Sequence, residues 1–176
     1  MDIRYVIARD DPSAFYRAAE LLRPYLRKAQ YALAVLDFQW SHRFETSDRM
    51  RDQLRDQLEK NGWSGRCEVI VIDPMLEIWA WADLRALARA ICDHAPKYTE
   101  RIYEELRRRA FGKGKPDDPK KALEGLGVPG FKRDNAFYRR LANYVSREAI
   151  VRCGDPAFSC LRSALSSWLG PWPSSP

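Results

Sequence analysis

The stretch Tyr31–His42 reads YALAVLDFQWSH. Hydrophobic residues fill Tyr31 to Leu36 without a break, and the run stops at a carboxylate, Asp37. A short continuous apolar run fits a strand buried on both faces, as in a parallel sheet flanked by helices. An acid at its end, followed by Phe38, Gln39 and Trp40, is not a helix start, so Asp37 calls for another explanation.

Working outward, the same pattern recurs on both sides. Upstream, Ile3 to Ala8 (IRYVIA) predicts another buried strand. Asp10-Asp11-Pro12 then predicts a helix start, because the acid caps and proline suits the first helical position. That helix is expected to reach Lys28, with Phe15, Ala18, Ala19, Leu22 and Leu26 on one face and a kink at Pro24. Downstream, Ser47 is a candidate cap for a helix carrying Met50, Leu54 and Leu58, which Asn61-Gly62 ends. Cys67 to Ile72 (CEVIVI) predicts a third strand, closed by Asp73-Pro74. Strands alternating with helices predict an α/β fold of three layers around a mostly parallel sheet.

Beyond Pro74 the chain reads as helical. Met75 to Trp81, Leu84 to Ile91 behind a cap at Asp83, Tyr98 to Phe111, Asn135 to Ile150 and a last helix behind Asp155-Pro156 are the expected segments. Gly112 to Gly130 is rich in glycine and proline and predicts a loop, with a short helix near Lys120 to Leu126. The tail PWPSSP is expected to be loose. The boundaries expected are an α/β core over residues 1–95 and a helical portion, packed on it, over residues 96–176.

At 176 residues, with 31% charged and 12% aromatic residues, the chain is long enough and apolar enough for a packed core. No apolar run approaches the roughly 20 residues of a membrane span, and the start lacks the layout of a secretory signal. The expectation is a cytoplasmic protein with no membrane partner. Cys67, Cys92, Cys153 and Cys160 form no C-x-x-C pair, so they read as free thiols. The net charge is +6, with the positive surplus concentrated between Lys97 and Arg152. Arg107, Arg108, Arg109, Lys113 and Lys115 are the candidate contacts to a nucleic-acid backbone. A solvated helix face and loop would look the same. Gly112–Pro116 is no P-loop, since it lacks the G-x-x-x-x-G-K-[ST] pattern.

In a parallel sheet the residues just past each strand gather at one edge, where open α/β sheets bind ligands. Those residues here are Asp10, Asp11, Asp37, Asp73 and Glu77. Clustered carboxylates repel, and oxygen-rich sets of this kind suit Mg²⁺ or Mn²⁺. Each acid also has a structural reading: Asp11 as a helix cap, Asp73 as a strand terminator, Glu77 on an exposed face.

Several blocks carry a resemblance. AAELLRPY (Ala18–Tyr25), ALAVLDFQWS (Ala32–Ser41), NGWSGRCEVIVIDPMLEIWAWAD (Asn61–Asp83), KPDDPKKALE (Lys115–Glu124), Ala136–Val145 and CGDPAFSCLRSALSSW (Cys153–Trp168) together span most of the chain. They resemble a family of bacterial TOPRIM-like proteins linked to methylation-associated antiphage defence. The I-D-P-x-L-E-x-W block is the most specific element. The resemblance implies a TOPRIM-like fold, other defence-system proteins as partners, and phosphodiester chemistry around Mg²⁺. TOPRIM sites use a glutamate after the first strand and a D-x-D pair after a later one. Asp37 matches the first acid of that pair, while Gln39 stands where the second is expected and offers an oxygen without a charge. Glu77 matches the acid of the P-x-L-E-x-W block. The family's N-terminal strand and its acid have no counterpart in this chain.

Two functions follow as expectations. The first is a metal-dependent, nuclease-like phosphodiesterase with Asp37 and Glu77 as catalytic acids and Asp37, Gln39, Asp73 and Glu77 around the metal. The second is a non-catalytic module, a degenerate TOPRIM-like subunit that binds nucleic acid or protein.

Overall fold

The structure, a computed structural model, describes residues 2–110 and 115–170. Lys113 and the tail Pro171–Pro176 lie outside the described residues. The elements are α1 (Asp11–Leu22), β1 (Ala32–Asp37), α2 (Ser47–Leu58), β2 (Cys67–Ile72), α3 (Glu77–Ala80), α4 (Leu84–Ile91), α5 (Thr99–Ala110), α6 (Pro119–Glu124), α7 (Asn135–Tyr144), α8 (Arg147–Val151) and α9 (Pro156–Leu169). The fold is α/β.

Contacts divide the chain into two compact units, Met1–Met75 with Asp155–Pro176, and Leu76–Gly154. The sequence places the boundary near residue 95. In the structure α4 shares its apolar face with α5 and α7, so Leu84–Ile91 sorts with the helices that follow it. The last helix sorts with the sheet, where Tyr31 and Trp168 stack at 4.8 Å between ring centroids.

In the first unit β1 and β2 pair in parallel, from Ala32 opposite Cys67 to Asp37 opposite Ile72. Val69 and Val71 join Phe15, Met50, Leu54, Leu58 and Trp63 in one core. Ile70 and Ile72 point to the opposite face, as strand alternation requires, and are buried as well. β2 is therefore covered on both faces, which is what its unbroken apolar sequence predicts.

The strand expected at Ile3–Ala8 is absent among the described residues. Ile3–Ala8 pairs with nothing, and Tyr5 and Ile7 are 80% and 90% exposed. Composition favours a strand there, but a strand exists only where a ladder partner meets it. Among the described residues the sheet has two strands, and the three-layer, mostly parallel arrangement is reduced to that pair.

Local chemistry sets the helix ends. Asp10 caps α1, accepting the Ser13 N–H at 2.8 Å. The α1 helix stops at Leu22, short of the expected Lys28, because Pro24 has no N–H to continue the ladder; Arg23–Tyr25 forms a 3₁₀ turn instead. Thr46, not Ser47, caps α2. Gly62 ends it with φ of +96°, a left-handed value that a residue with a Cβ adopts only under strain. Arg66 secures this corner by donating to the carbonyls of Leu26, Ala29 and Gly62, with its guanidinium 4.4 Å from the Trp63 ring.

In the second unit Leu87, Ile91, Ile102, Leu106, Leu123 and Phe137 form the core. Asp83 caps α4 through the Ala86 N–H and also accepts the Ser146 N–H. The expected Asn135–Ile150 helix is two helices, because Val145 turns extended and Ser146 caps α8. Met75–Trp81 contributes only the short α3.

Candidate functional site

The carboxyl ends of β1 and β2 coincide, since Asp37 and Ile72 are register partners and Asp73 follows directly. The start of α1 stands at the same rim: the Asp11 Oδ1 accepts the Asp37 backbone N–H at 3.1 Å. Asp37 is half-buried, and Gln39 and Asp73 are exposed. The backbone N–H of Gln39 donates to the Pro74 carbonyl at 2.9 Å, which fixes the chain just after β1. Asp10, Asp11, Asp37 and Asp73 thus lie along one rim of the first unit.

This rim does not make a metal cage. Among the described residues no group of three or more His, Cys, Asp or Glu side chains is placed to hold an ion. Two of the acids are spent on the backbone. Asp11 serves the Asp37 N–H, and Asp10 caps α1. The hydroxyl and N–H of Ser13 hold the Asp10 carboxyl below its ordinary range. The donors left at this rim do not fit Mg²⁺ or Mn²⁺.

Glu77 belongs to the second unit and has a different environment. It is 7% exposed. Its Oε1 accepts the Tyr138 hydroxyl at 2.8 Å and a guanidinium N–H of Arg133. Arg133 also donates to the Tyr138 oxygen at 3.1 Å and lies 3.6 Å from the Glu124 carboxylate. Burial pushes the Tyr138 hydroxyl up to about 12, with Glu77 adding to the shift and Arg133 opposing it. Burial pulls the Arg133 guanidinium down, but Tyr138, Glu77 and Glu124 outweigh it and the net shift is upward. A buried carboxylate is tolerable only when paired, and this one is. Nothing near Glu77 in sequence announces Arg133 or Tyr138; the nearest hint is a carboxylate in the greasy context Leu76-Glu77-Ile78-Trp79.

The basic stretch is also largely engaged. Arg107 pairs with Glu104, and Arg108 with Glu105, one turn earlier on α5. Arg109 donates to Glu105 and reaches across to the carbonyls of Ala122 at 2.5 Å and Gly125 at 3.3 Å. Arg109 therefore ties α5 to the end of α6. The Arg109 hydrogen bond holds the Glu105 carboxyl below its ordinary range. Lys115 is half-buried. The four cysteines are free thiols, and burial pushes those of Cys67 and Cys92 up.

No described helix is long and apolar enough to cross a membrane. Comparison of the chain with family models, with curated proteins and with solved structures returned no match.

Proposed function

We propose that this chain is a non-catalytic binding module, a TOPRIM-like subunit that holds a protein partner within the antiphage setting its resemblance implies. The observation that carries this is the burial of Glu77 under Arg133 and Tyr138. A carboxylate neutralised in this way stabilises its own unit and is unavailable to a metal or a substrate. The rim acids support the same reading, since Asp10 and Asp11 are committed to backbone N–H groups. A protein partner is favoured over nucleic acid because Arg107, Arg108 and Arg109 already face glutamates, while β1 presents an unpaired edge with Val35 44% exposed.

A thermal titration tests this. Millimolar Mg²⁺ or Mn²⁺ leaves the melting temperature unchanged, and Asp37→Asn melts alike with and without the ion. A metal-dependent rise that Asp37→Asn abolishes would restore phosphodiester chemistry at Asp37, because a ligand bound only by the folded state must raise its stability. DNA or RNA binding with a steep salt dependence would turn the module toward nucleic acid.

A further inference from the structure

The ladder between β1 and β2 has a fixed phase. Ala32 donates to the Arg66 carbonyl at 3.0 Å and Phe38 to the Ile72 carbonyl at 2.9 Å. In a parallel strand alternate residues turn both backbone groups to the same side. Ala32, Ala34, Leu36 and Phe38 therefore face β2, and Leu33, Val35 and Asp37 face away from it. The outward N–H of Asp37 is met by Asp11. Leu33 and Val35 are left with N–H and C=O directed at an open edge.

That edge borders a cavity of about 380 Å³. Its lining is mostly apolar, from Ala14, Ala18 and Leu22 of α1 and Leu33 to Leu36 of β1, with Asp10 and Asp11 also bordering it. Val6, Ile7 and Ala8 form part of the lining without pairing to β1. An unpaired edge beside an apolar groove is the arrangement to which extended segments add as strands.

The segment of matching chemistry is in this chain. Ile3-Arg4-Tyr5-Val6-Ile7-Ala8-Arg9 is β-branched and aromatic, largely exposed and joined to no strand ladder; Arg4 pairs with Asp2 at 3.3 Å, and Arg9 carries a charge opposite to that of Asp10 and Asp11. We infer that two copies of the chain exchange these N-terminal arms, each arm lying along the β1 edge of the other copy and pairing with Leu33 and Val35. The exchange is reciprocal, so it closes as a two-fold dimer. It requires reorientation only about Arg9 and Asp10, ahead of α1. The inference rests on the protein-binding reading and names a second copy as the partner.

Sedimentation velocity over a wide concentration range, with hydrogen exchange of the Leu33 and Val35 amides, tests it on the full chain. The expected result is a concentration-dependent doubling of mass, with both amides slowing as the dimer fills. Ile7→Lys, at a position already facing water, and Val35→Lys each abolish the dimer while leaving the circular dichroism unchanged. Excess synthetic peptide IRYVIAR returns the wild type to monomers. A monomer with both amides protected would mean the arm closes on its own strand, and would overturn the proposal. So would a monomer with both amides fast, or a dimer indifferent to both substitutions. None of these outcomes alters the metal titration, so failure here leaves the non-catalytic reading standing.

Discussion

The Asp11 carboxylate accepts the backbone N–H of Asp37 at 3.1 Å, joining the first turn of α1 to the last residue of β1. This bond is the reason a helix start and a strand end occupy one rim. It also makes Asp11 a terminator of the open β1 edge. Asp11→Ala removes the acceptor and leaves the half-buried N–H unmet, so the chain should lose about 1 kcal/mol of stability. Asp11→Asn keeps an acceptor oxygen and should lose less. Urea denaturation of the two variants checks the order.

The Glu77 and Arg133 side chains should behave as a pair. Arg133→Met strands a buried carboxylate and should cost about 3 kcal/mol. Glu77→Gln with Arg133→Met replaces both charges and should recover much of that loss. A double-mutant cycle by denaturant unfolding measures the coupling, and additive losses would deny it.

Tyr138 gives the pair a signature in pH. Its hydroxyl ionises near pH 10 in an unfolded chain and at about 12 in the fold. Between those values the folded state holds the proton that the unfolded state has released. Stability from this group is therefore complete below about pH 10 and declines as pH rises toward 12. Other groups titrate in the same range, so the readout is the difference between wild type and Tyr138→Phe. That difference should shrink with rising pH across the window.

What the sequence made legible were features settled by neighbours. The spacing of Met50, Leu54 and Leu58 announced a helix, and all three are fully buried. Asp83 and the Asp155-Pro156 pair announced helix starts, and both acids accept the expected N–H. The unbroken apolar run of Cys67–Ile72 announced a covered strand. What stayed hidden were decisions made across the chain. Ile3–Ala8 has strand composition, but pairing depends on an edge its own residues do not specify. Ser146 sits inside a continuous amphipathic pattern, yet its N–H goes to Asp83, and the helix breaks there. Gathering of acids past each strand was legible for Asp37 and Asp73, while Asp11 meets them from the first turn of α1 and follows no strand. Burial of Glu77 beneath Arg133 was not, since the pair is 56 residues apart.

The three consecutive arginines of α5 should separate in a mutational series. Arg107 and Arg108 make exposed pairs within one helix, a geometry worth only a few tenths of a kcal/mol. Arg107→Ala and Arg108→Ala should leave the melting temperature nearly unchanged. Arg109 also satisfies the Ala122 and Gly125 carbonyls, so Arg109→Ala removes the link between α5 and α6. That variant should lose about 2 kcal/mol, within the usual range for charged hydrogen bonds. Arg109→Lys should not rescue it fully, because an ammonium lacks the planar fork that reaches two carbonyls while holding Glu105. The same variants test nucleic-acid binding. If the stretch binds phosphates, Arg107→Ala and Arg108→Ala should each lower the slope of affinity against salt by about one unit. Equal slopes in wild type and both variants would assign Arg107 and Arg108 to a solvated helix face.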